Sequence, residues 1–576
     1  MPTDAIASEL NSVRTRFDAA GRARRRELIQ HAAGVKSADP QALAAYHDVL
    51  LFMAAHPDDR AMLNHIEAEL ARIGAQIDDL SPTARRKLND TGMVGTLTTH
   101  AFSMDLARWL CDRCGNDVDI DMKNAEAMER LEAFLQLLAA PAEADGILCK
   151  RLDTRGWLDA ARGGTDSDCS SLRWLLGRFD ALRAPPALVD REFESLDLEL
   201  TWRHASLPMS RTGARFPSRP IHFQKRAPVR SVNAREIILC PLSPARPLPV
   251  GEATPLLDAC RAALSSRRRE TDPLTYADPH DVTLHRLENG IDVAVFGMTP
   301  QRRLPVESYF GYVAARNRVP CAYGGGWVLG HRCEIGVNIF DEFRGGESAL
   351  LFAQIMRVYR TMFRIRRFLV DPYQFGAGNE EAIRSGAFWF YYRLGFRPVS
   401  ARVRQLADDE ARRVREQTGY RSPPATLRRL ARDRVRLDLA EQSAPAASGL
   451  LNTDEVPAPL GDFDLAELGI AVTTRIGRRF SGDTTVATDW SLSHLRRVLG
   501  VKPSKSWSAN ETFAFSNWSP LVAMIGDLDR WTASEKRSLI DVMRAKGGRR
   551  ESRFARLLRQ HPRLIEAFSA ISRRQE

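Results

Sequence analysis

The stretch from Glu334 to Val399 constrains the fold of this chain more than any other part of the sequence. It predicts a strand (EIGVNIF), a turn with two glycines (DEFRGGE), a helix, a second strand (RRFLVD), a second helix ending near YYRLGF, and a third strand. A strand that enters a helix through a glycine-containing turn directs free backbone N–H groups and the helix dipole to one point. The sequence therefore predicts a binding site for a phosphate-like anion at this turn.

The remainder of the 576-residue chain divides into helical and mixed regions. Residues 1–185 carry apolar residues at three- and four-residue spacing, which predicts an all-α domain, and residues 186–234 are rich in Pro, Ser and Arg, which predicts an irregular linker. Strand and helix patterns alternate over 235–400, as in a layered α/β domain. Residues 401–576 are predicted to be helical. The expected fold class is an α/β core with a mixed sheet, flanked by N-terminal and C-terminal all-α domains.

Several shorter patterns predict individual elements. REIILCPL predicts a strand, and VESYFGYVAARN predicts a helix. Asn289-Gly290 lies between two apolar runs and predicts a hairpin, and a second hairpin is expected to turn at Leu329-Gly330-His331. APAASGLLNTDEVPAPLGD predicts a linker. Thr532 and Glu535 have the spacing of a helix capping box.

Charge is concentrated at the end of the chain. The formal net charge is +11, and residues 535–576 hold 12 Lys and Arg against 5 Asp and Glu, a net of +7. This basic region predicts contact with RNA or an acidic partner, or else solvated helix faces. No apolar run reaches the roughly 18–20 residues that span a bilayer, so we expect a cytoplasmic protein without membrane contact. Cys111 and Cys114 are separated by two residues. No second pair of cysteines at zinc-ligand spacing is evident in the sequence, so we expect no metal site.

Two short motifs lie on either side of the predicted strand RRFLVD. The first is the run Arg344-Gly345-Gly346-Glu347-Ser348-Ala349, and the second combines Ala387, Tyr391, Gly395 and Phe396 in the spacing A-x3-Y-x3-G-F. In this order they resemble the GNAT superfamily of N-acyltransferases. The resemblance is closest over 335–399 and extends more loosely from about 235 to 400. The flanking helical regions resemble no family that we recognise.

The resemblance implies an acyl-CoA co-substrate whose pyrophosphate is wrapped by the turn, and a small-molecule or peptide amine as acceptor. It implies that Glu334 is the general base and Tyr391 the general acid. Glu334 could instead pair with a nearby arginine, and Tyr391 could simply pack in an aromatic core. The residues that it implies for binding acyl-CoA are Asn338, Ile339, Phe340, Arg344, Gly345, Gly346, Glu347, Ser348 and Ala349.

The motifs depart from the family pattern at two positions. Arg384 stands where asparagine is usual, and Glu347 stands where a glycine normally lets the backbone approach the phosphates. A carboxylate there repels a pyrophosphate, by about 1 kcal/mol or more at 4 Å. Three interpretations follow: Glu347 points away, the ligand is not coenzyme A, or the turn binds nothing. The glycines at 324–326 predict either a close approach of substrate or a bulge or turn.

Three functions are compatible with these patterns. The first is an N-acyltransferase in which an amine attacks the acyl-CoA thioester directly and backbone amides near 338–340 polarise its carbonyl. The second is a tRNA-dependent aminoacyl transferase of the Fem type, which the basic C-terminal helices favour. The third is a catalytically inactive core that serves as a scaffold between two helical domains.

Overall fold

The computed structural model describes residues 3–33, 35–149, 151–164, 168–439, 463–501 and 506–573. The predicted linker at 444–462 lies outside these residues. The helices are α1 Thr3–Val13, α2 Ala19–Ala32, α3 Pro40–Ala55, α4 Arg60–Asp79, α5 Pro82–Arg86, α6 Met104–Cys114, α7 Ala125–Leu138, α8 Ala144–Leu148, α9 Thr154–Ala161, α10 Ser171–Asp180, α11 Pro186–Ser195, α12 Ala234–Leu239, α13 Val250–Ser265, α14 Asp272–Thr275, α15 Ser348–Phe363, α16 Glu380–Ser385, α17 Ala387–Arg393, α18 Ala401–Glu416, α19 Pro424–Leu430, α20 Leu465–Phe480, α21 Thr484–Leu499, α22 Ala509–Val522, α23 Ala533–Ala545, α24 Glu551–Arg559 and α25 Pro562–Arg573.

Two β-sheets accompany these helices. The strands are β1 Leu97–Ala101, β2 Val118–Ile120, β3 Glu199–Arg203, β4 Ala277–Arg286, β5 Ile291–Met298, β6 Ser308–Arg316, β7 Val319–Leu329, β8 Arg332–Ile335, β9 Asn338–Ile339, β10 Arg367–Val370, β11 Arg397–Pro398 and β12 Val435–Asp438. The chain is thus mixed α/β with a mixed multi-stranded sheet and helical flanks, which confirms the coarse fold class.

The chain forms two compact units. The first comprises residues 1–227, 255–275 and 315–320, and the second comprises 228–254, 276–314 and 321–576. In the first unit, α3 is buried along most of its length and packs against α1 and α4. A separate apolar core between Phe102 and Trp202 is built from α6, α7, α9, α10 and α11 with β2 and β3.

The first unit corrects the expectation of an all-α N-terminal region. Strands β1, β3 and β2 form an antiparallel three-stranded sheet in that order, with Leu200 of β3 paired to His100 on one side and Ile120 on the other. Both β3 and α11 lie in the stretch expected to be irregular. The strands are only three to five residues long, which is too short for period-two alternation to be recognised among helical patterns.

The second unit is built on one large sheet. Its strand order is β11-β12-β10-β8-β7-β6-β5-β4, and β9 pairs with β7. The β4–β5 hairpin is confirmed: Asn289 and Gly290 both adopt positive φ, 57° and 75°, as the tight turn between twisted strands requires. The second hairpin is confirmed as well, because Leu329 pairs with Arg332 around Gly330 and His331.

Two element predictions in this region were wrong. REIILCPL contains helix α12, because the Asn233 side chain accepts from the Glu236 backbone N–H and caps the first turn. Residues 308–316 form β6 and not a helix. This strand lies inside the sheet and is buried at nearly every position, so it lacks the polar alternation that marks a half-exposed strand. Strand β12 also lies in the stretch expected to be only helical.

The crossover from β8 through α15 to β10 produces a parallel pair of strands. Arg332, Cys333 and Glu334 are level with Arg367, Phe368 and Leu369. Parallel neighbours need such a crossover, usually a helix. The strand, turn, helix and strand expected from the sequence are therefore present in that order, and the turn of interest precedes α15.

Helices α20 to α25 enclose an apolar core of the second unit, with Trp518, Phe554 and Phe568 in ring contact at its centre. The capping box of Thr532 and Glu535 is confirmed at the start of α23. A buried ion pair joins Lys546 Nζ to Glu551 Oε1 at 2.8 Å. Within the described residues, none of the helices combines the length and apolar character needed to cross a membrane.

Candidate functional site

The strand that leads to the turn is divided into β8 and β9 by a tyrosine. Gly326 pairs with Ile335 and Tyr323 with Asn338, so β8 and β9 keep one continuous register against β7. Between them, the Tyr312 hydroxyl donates to the Gly336 carbonyl at 2.6 Å. A side-chain hydroxyl that donates to a backbone carbonyl in this way replaces a strand-to-strand hydrogen bond. The interruption therefore comes from a side chain and not from a β-bulge.

The glycines at 324–326 make room for tyrosine rings. A Cβ on Gly324 would lie 2.6 Å from the Tyr312 hydroxyl oxygen, and one on Gly326 would lie 2.6 Å from the Tyr359 ring. Gly325 faces Tyr309 in the same way, with 2.4 Å between its ideal Cβ and that ring. The sequence predicted either a close approach of substrate or a bulge or turn at these three glycines. The structure instead fills the space beside it with packed aromatic side chains.

Strands β8 and β10 stop pairing just before the interruption. Their parallel register ends at Glu334 and Leu369, and β9 pairs with β7. The N–H groups of Gly336 and Phe340 donate to β7 carbonyls at 3.2 and 3.0 Å. Because N–H directions alternate along an antiparallel strand, those of Val337 and Ile339 point to the β10 side. The gap between the parting strands is therefore lined by backbone amides.

The turn before α15 satisfies part of its own backbone. Gly345 adopts a φ of +76° and has open space beside it, while the Gly346 N–H donates to the Phe343 carbonyl at 3.2 Å. Helix α15 begins at Ser348 without a side-chain cap, and Ser348 and Ala349 are half-buried. The first N–H groups of an uncapped helix lack intrahelical partners. Donors for an anion are therefore available at the start of α15.

Glu347 is buried and turned away from solvent. Only 5% of the residue is exposed, and its Oε1 accepts from the backbone N–H of Val229 at 3.3 Å. Val229 belongs to the segment that leads into α12. Of the three interpretations of this carboxylate, the structure matches the first: Glu347 points away, towards another part of the same unit.

Arg344 lies at the surface of the turn with two carboxylate partners. Its guanidinium is 3.0 Å from Asp341 Oδ1 and 3.0 Å from Glu381 Oε1, and its side chain is 59% exposed. Exposed ion pairs of this kind contribute little, so a phosphate could displace them. Upstream, Asn338 is exposed and Ile339 half-buried, whereas the buried Phe340 ring stacks on Tyr323 at 5.3 Å.

Glu334 lies in a polar cavity of about 320 Å³. Its carboxylate is 3.6 Å from Arg434 Nε, which matches the alternative expectation of an arginine partner. The cavity is also lined by Glu307, Trp327, Arg332 and the residues 463–466. Burial raises the pKa of Glu334, opposed by the charge of Arg434 and reinforced by that of Asp371.

Tyr391 lies in an aromatic cluster behind α15. Its ring centroid is within about 6 Å of those of Phe352, Phe375 and Phe396, and only 3% of the residue is exposed. Burial raises the pKa of its hydroxyl well above the ordinary value. Among the described residues no hydrogen bond to this hydroxyl is recorded. A protonated, unbonded hydroxyl is available to donate.

Glu334 and Tyr391 lie on opposite faces of the sheet. Cys333 is next to Tyr359 of α15, since both would crowd a Cβ on Gly326, and the following residue in a strand points to the other face. Glu334 therefore points away from α15, whereas Tyr391 packs on Phe352 of α15. The structure does not bring the two side chains together on one surface.

The neighbours of Glu334 escaped the sequence analysis. Trp327 is directly opposite Glu334 in the hairpin register, and its ring stacks on Tyr309 with centroids 4.1 Å apart. The turn at Gly330-His331 fixes that pairing, so the sequence did contain the signal for Trp327. Glu307 and Arg434 come from distant segments, and no local pattern in the sequence places them beside Glu334.

Comparison of this chain with family models, curated proteins and solved structures found no significant match.

Proposed function

We propose that this protein transfers an acyl group from acyl-CoA to an amine, with the GNAT-like core at 235–400 as its catalytic part. The observation that supports this best is the direction of Glu347. The carboxylate that most weakened the resemblance is buried and accepts from the Val229 N–H, so it points away from the solvent side of the turn. On this proposal the departure from the family pattern concerns packing, and the anion site would be retained.

The acyl-CoA would lie along the gap between the parting strands. Its pyrophosphate would meet the turn at Gly345 and Gly346 and the uncapped start of α15, with Arg344 exchanging its exposed carboxylate partners for phosphate. The amides of Val337 and Ile339, which point to the β10 side, would bind the pantetheine arm. Phe340 would contribute packing only, because its N–H already donates to Cys321.

The placement of Glu334 and Tyr391 suits the two ends of a direct displacement. The amine nitrogen forms a bond to the thioester carbon, and the carbon–sulfur bond then breaks. Glu334 takes the proton that the amine loses, and Tyr391 gives its proton to the departing sulfur. Because Glu334 and Tyr391 lie on opposite faces of the sheet, the reacting thioester would have to lie in the gap between β9 and β10 to meet both. Burial favours both roles, since it makes Glu334 more basic and keeps Tyr391 protonated.

Release of free coenzyme A thiol tests this proposal. The full chain is incubated with acetyl-CoA and with longer acyl-CoAs, together with panels of primary amines and peptides, and the thiol is followed colorimetrically. We expect acceptor-dependent thiol release that Glu334→Gln reduces. Thiol release that does not depend on any amine, or that is the same in Glu334→Gln, would contradict the proposed mechanism.

A further inference from the structure

A second cavity in the same unit is strongly cationic. Its volume is about 570 Å³, and the charged residues that line it are Arg235, Arg393, Arg397, Arg404, Arg436 and Asp438. Five positive groups therefore face one negative group. None of the nine residues proposed to bind acyl-CoA lines this cavity, so it is a separate site.

Two of these arginines are fixed in place by neutral partners. Arg397 Nη1 donates to the backbone carbonyls of Tyr392 and Phe396 at 2.9 and 2.8 Å, and its guanidinium lies 3.9 Å over the Tyr392 ring. Arg404 donates to the carbonyls of Pro398 and Val399, both at 3.1 Å. Carbonyls and a ring hold a guanidinium without cancelling its charge. Both groups are thus pre-organised for an anion.

Asp438, the one carboxylate among the described residues that line the cavity, is already compensated. Asp438 Oδ1 is 2.5 Å from Arg367 Nε, and its Oδ2 is 3.2 Å from Arg436 Nε. Arg367 does not line the cavity, so it offsets the charge of Asp438 from behind. Arg235 Nη1 donates to the backbone carbonyl of Asp438 at 2.9 Å. Among the described residues, the lining of the cavity therefore carries a net positive charge.

We propose that this cavity binds a small molecule that carries two or more phosphate groups. Guanidinium groups present paired donors that match phosphate oxygens, and the volume lies within the range of about 300–1,000 Å³ usual for small-molecule sites. Val232, Leu394 and Leu437 add apolar surface to the lining, which suits an organic portion such as a nucleoside. The arginines come from three separate segments of the chain and converge on one cavity, which favours a compact ligand over an extended polymer.

Isothermal titration calorimetry of the full chain with tripolyphosphate and with a nucleoside triphosphate tests the proposal. Arg393 is exposed and Arg436 is half-buried. Arg393→Gln and Arg436→Gln leave unchanged Arg397 and Arg404, which are bound to main-chain carbonyls. Arg412→Gln is the matched control: Arg412 lies on α18 like Arg404 but does not line the cavity. Circular dichroism verifies that each variant is folded.

We expect one molecule of tripolyphosphate to bind per chain, and each cavity substitution to weaken its binding about tenfold, as the loss of a charge-assisted hydrogen bond does. Arg412→Gln should bind tripolyphosphate like the parent. Absence of tripolyphosphate binding, or equal weakening by Arg412→Gln, would overturn the proposal. Binding of a single-stranded RNA but not of tripolyphosphate would overturn it in favour of a nucleic-acid surface.

Discussion

The Oε1 atom of Glu347 accepts a hydrogen bond from the backbone N–H of Val229, 118 residues earlier in the chain, at 3.3 Å. This bond ties the turn before α15 to the segment that enters α12. It explains why a carboxylate is tolerated where the resemblance leads one to expect glycine. The side chain has a structural partner, and Gly345 stays exposed at the surface of the turn.

Glu347 should therefore affect stability more than acyl-CoA binding. Glu347→Gln retains an acceptor for Val229 and should change acyl-CoA affinity less than twofold, whereas Glu347→Gly loses the bond and should destabilise the chain by about 1 kcal/mol. Titration calorimetry and urea unfolding measure the two effects. If the carboxylate faced the pyrophosphate, Glu347→Gln would instead tighten binding about fivefold or more.

Glu334 should set the acid side of the pH–rate profile. A general base acts only when ionised, so the rate should fall as the pH drops through the pKa of Glu334, which burial and Asp371 raise. Glu334→Gln should lower kcat about 100-fold or more. Asp371→Asn removes a neighbouring negative charge and should move the acid limb to lower pH. If the acid limb of the pH–rate profile does not move in Asp371→Asn, a group other than Glu334 sets it.

Tyr391 should matter for catalysis and not for stability. Its hydroxyl has no recorded partner among the described residues, so Tyr391→Phe should leave the unfolding midpoint nearly unchanged and lower kcat about tenfold to 100-fold. Tyr312→Phe is the matched control, because Tyr312 is an equally buried tyrosine whose hydroxyl donates to Gly336. That variant should lose about 1 kcal/mol of stability. Unaltered kcat in Tyr391→Phe would assign the tyrosine to packing alone.

The buried pair of Lys546 and Glu551 should be essential for the second unit. Their side chains are 5% and 0% exposed, and Lys546 also donates to the Glu307 carbonyl at 2.7 Å. Lys546→Met leaves the buried Glu551 carboxylate with a 3.8 Å contact to Arg303 Nε in place of its close ion pair, and should cost about 3–5 kcal/mol. A cycle with Glu551→Gln should show strong coupling between the two substitutions.

Thermal unfolding of these variants provides the measurement. The exposed pair of Arg428 and Glu380, 2.9 Å apart, serves as control, and Arg428→Met should leave the midpoint unchanged. Additive effects of Lys546→Met and Glu551→Gln would mean that the two groups do not depend on one another.

Strong local signals were sufficient for parts of the fold. Asn289-Gly290 and Gly330-His331 identified both hairpins, and Thr532 with Glu535 identified the start of α23, because turns and caps are determined by a few neighbouring residues. Strand β6 was missed since its burial comes from β5 and β7 on either side and not from its own pattern. Helix α12 was mistaken for a strand because its apolar residues do not indicate a helix. The Asn233 cap is what indicates the helix.

The candidate site likewise combines features that follow from local sequence with features that depend on distant residues. The order of strand, turn and helix around Gly345 follows from local sequence, whereas the direction of Glu347 depends on Val229, and the environment of Glu334 depends on Arg434. Contacts between residues 100 positions apart are decided by the packing of whole elements, which no local pattern encodes. The arginine-lined cavity is of this kind too, since its arginines lie on α12, α17, β11, α18 and β12.

Titration calorimetry of the full chain with acetyl-CoA tests the central claim most directly. The account predicts one binding event per chain, with a Kd well below about 1 mM, that Arg344→Ala weakens and Glu347→Gln leaves nearly unchanged. Absence of heat with acetyl-CoA and with longer acyl-CoAs up to millimolar concentration would contradict the proposal that the turn before α15 binds an acyl-CoA.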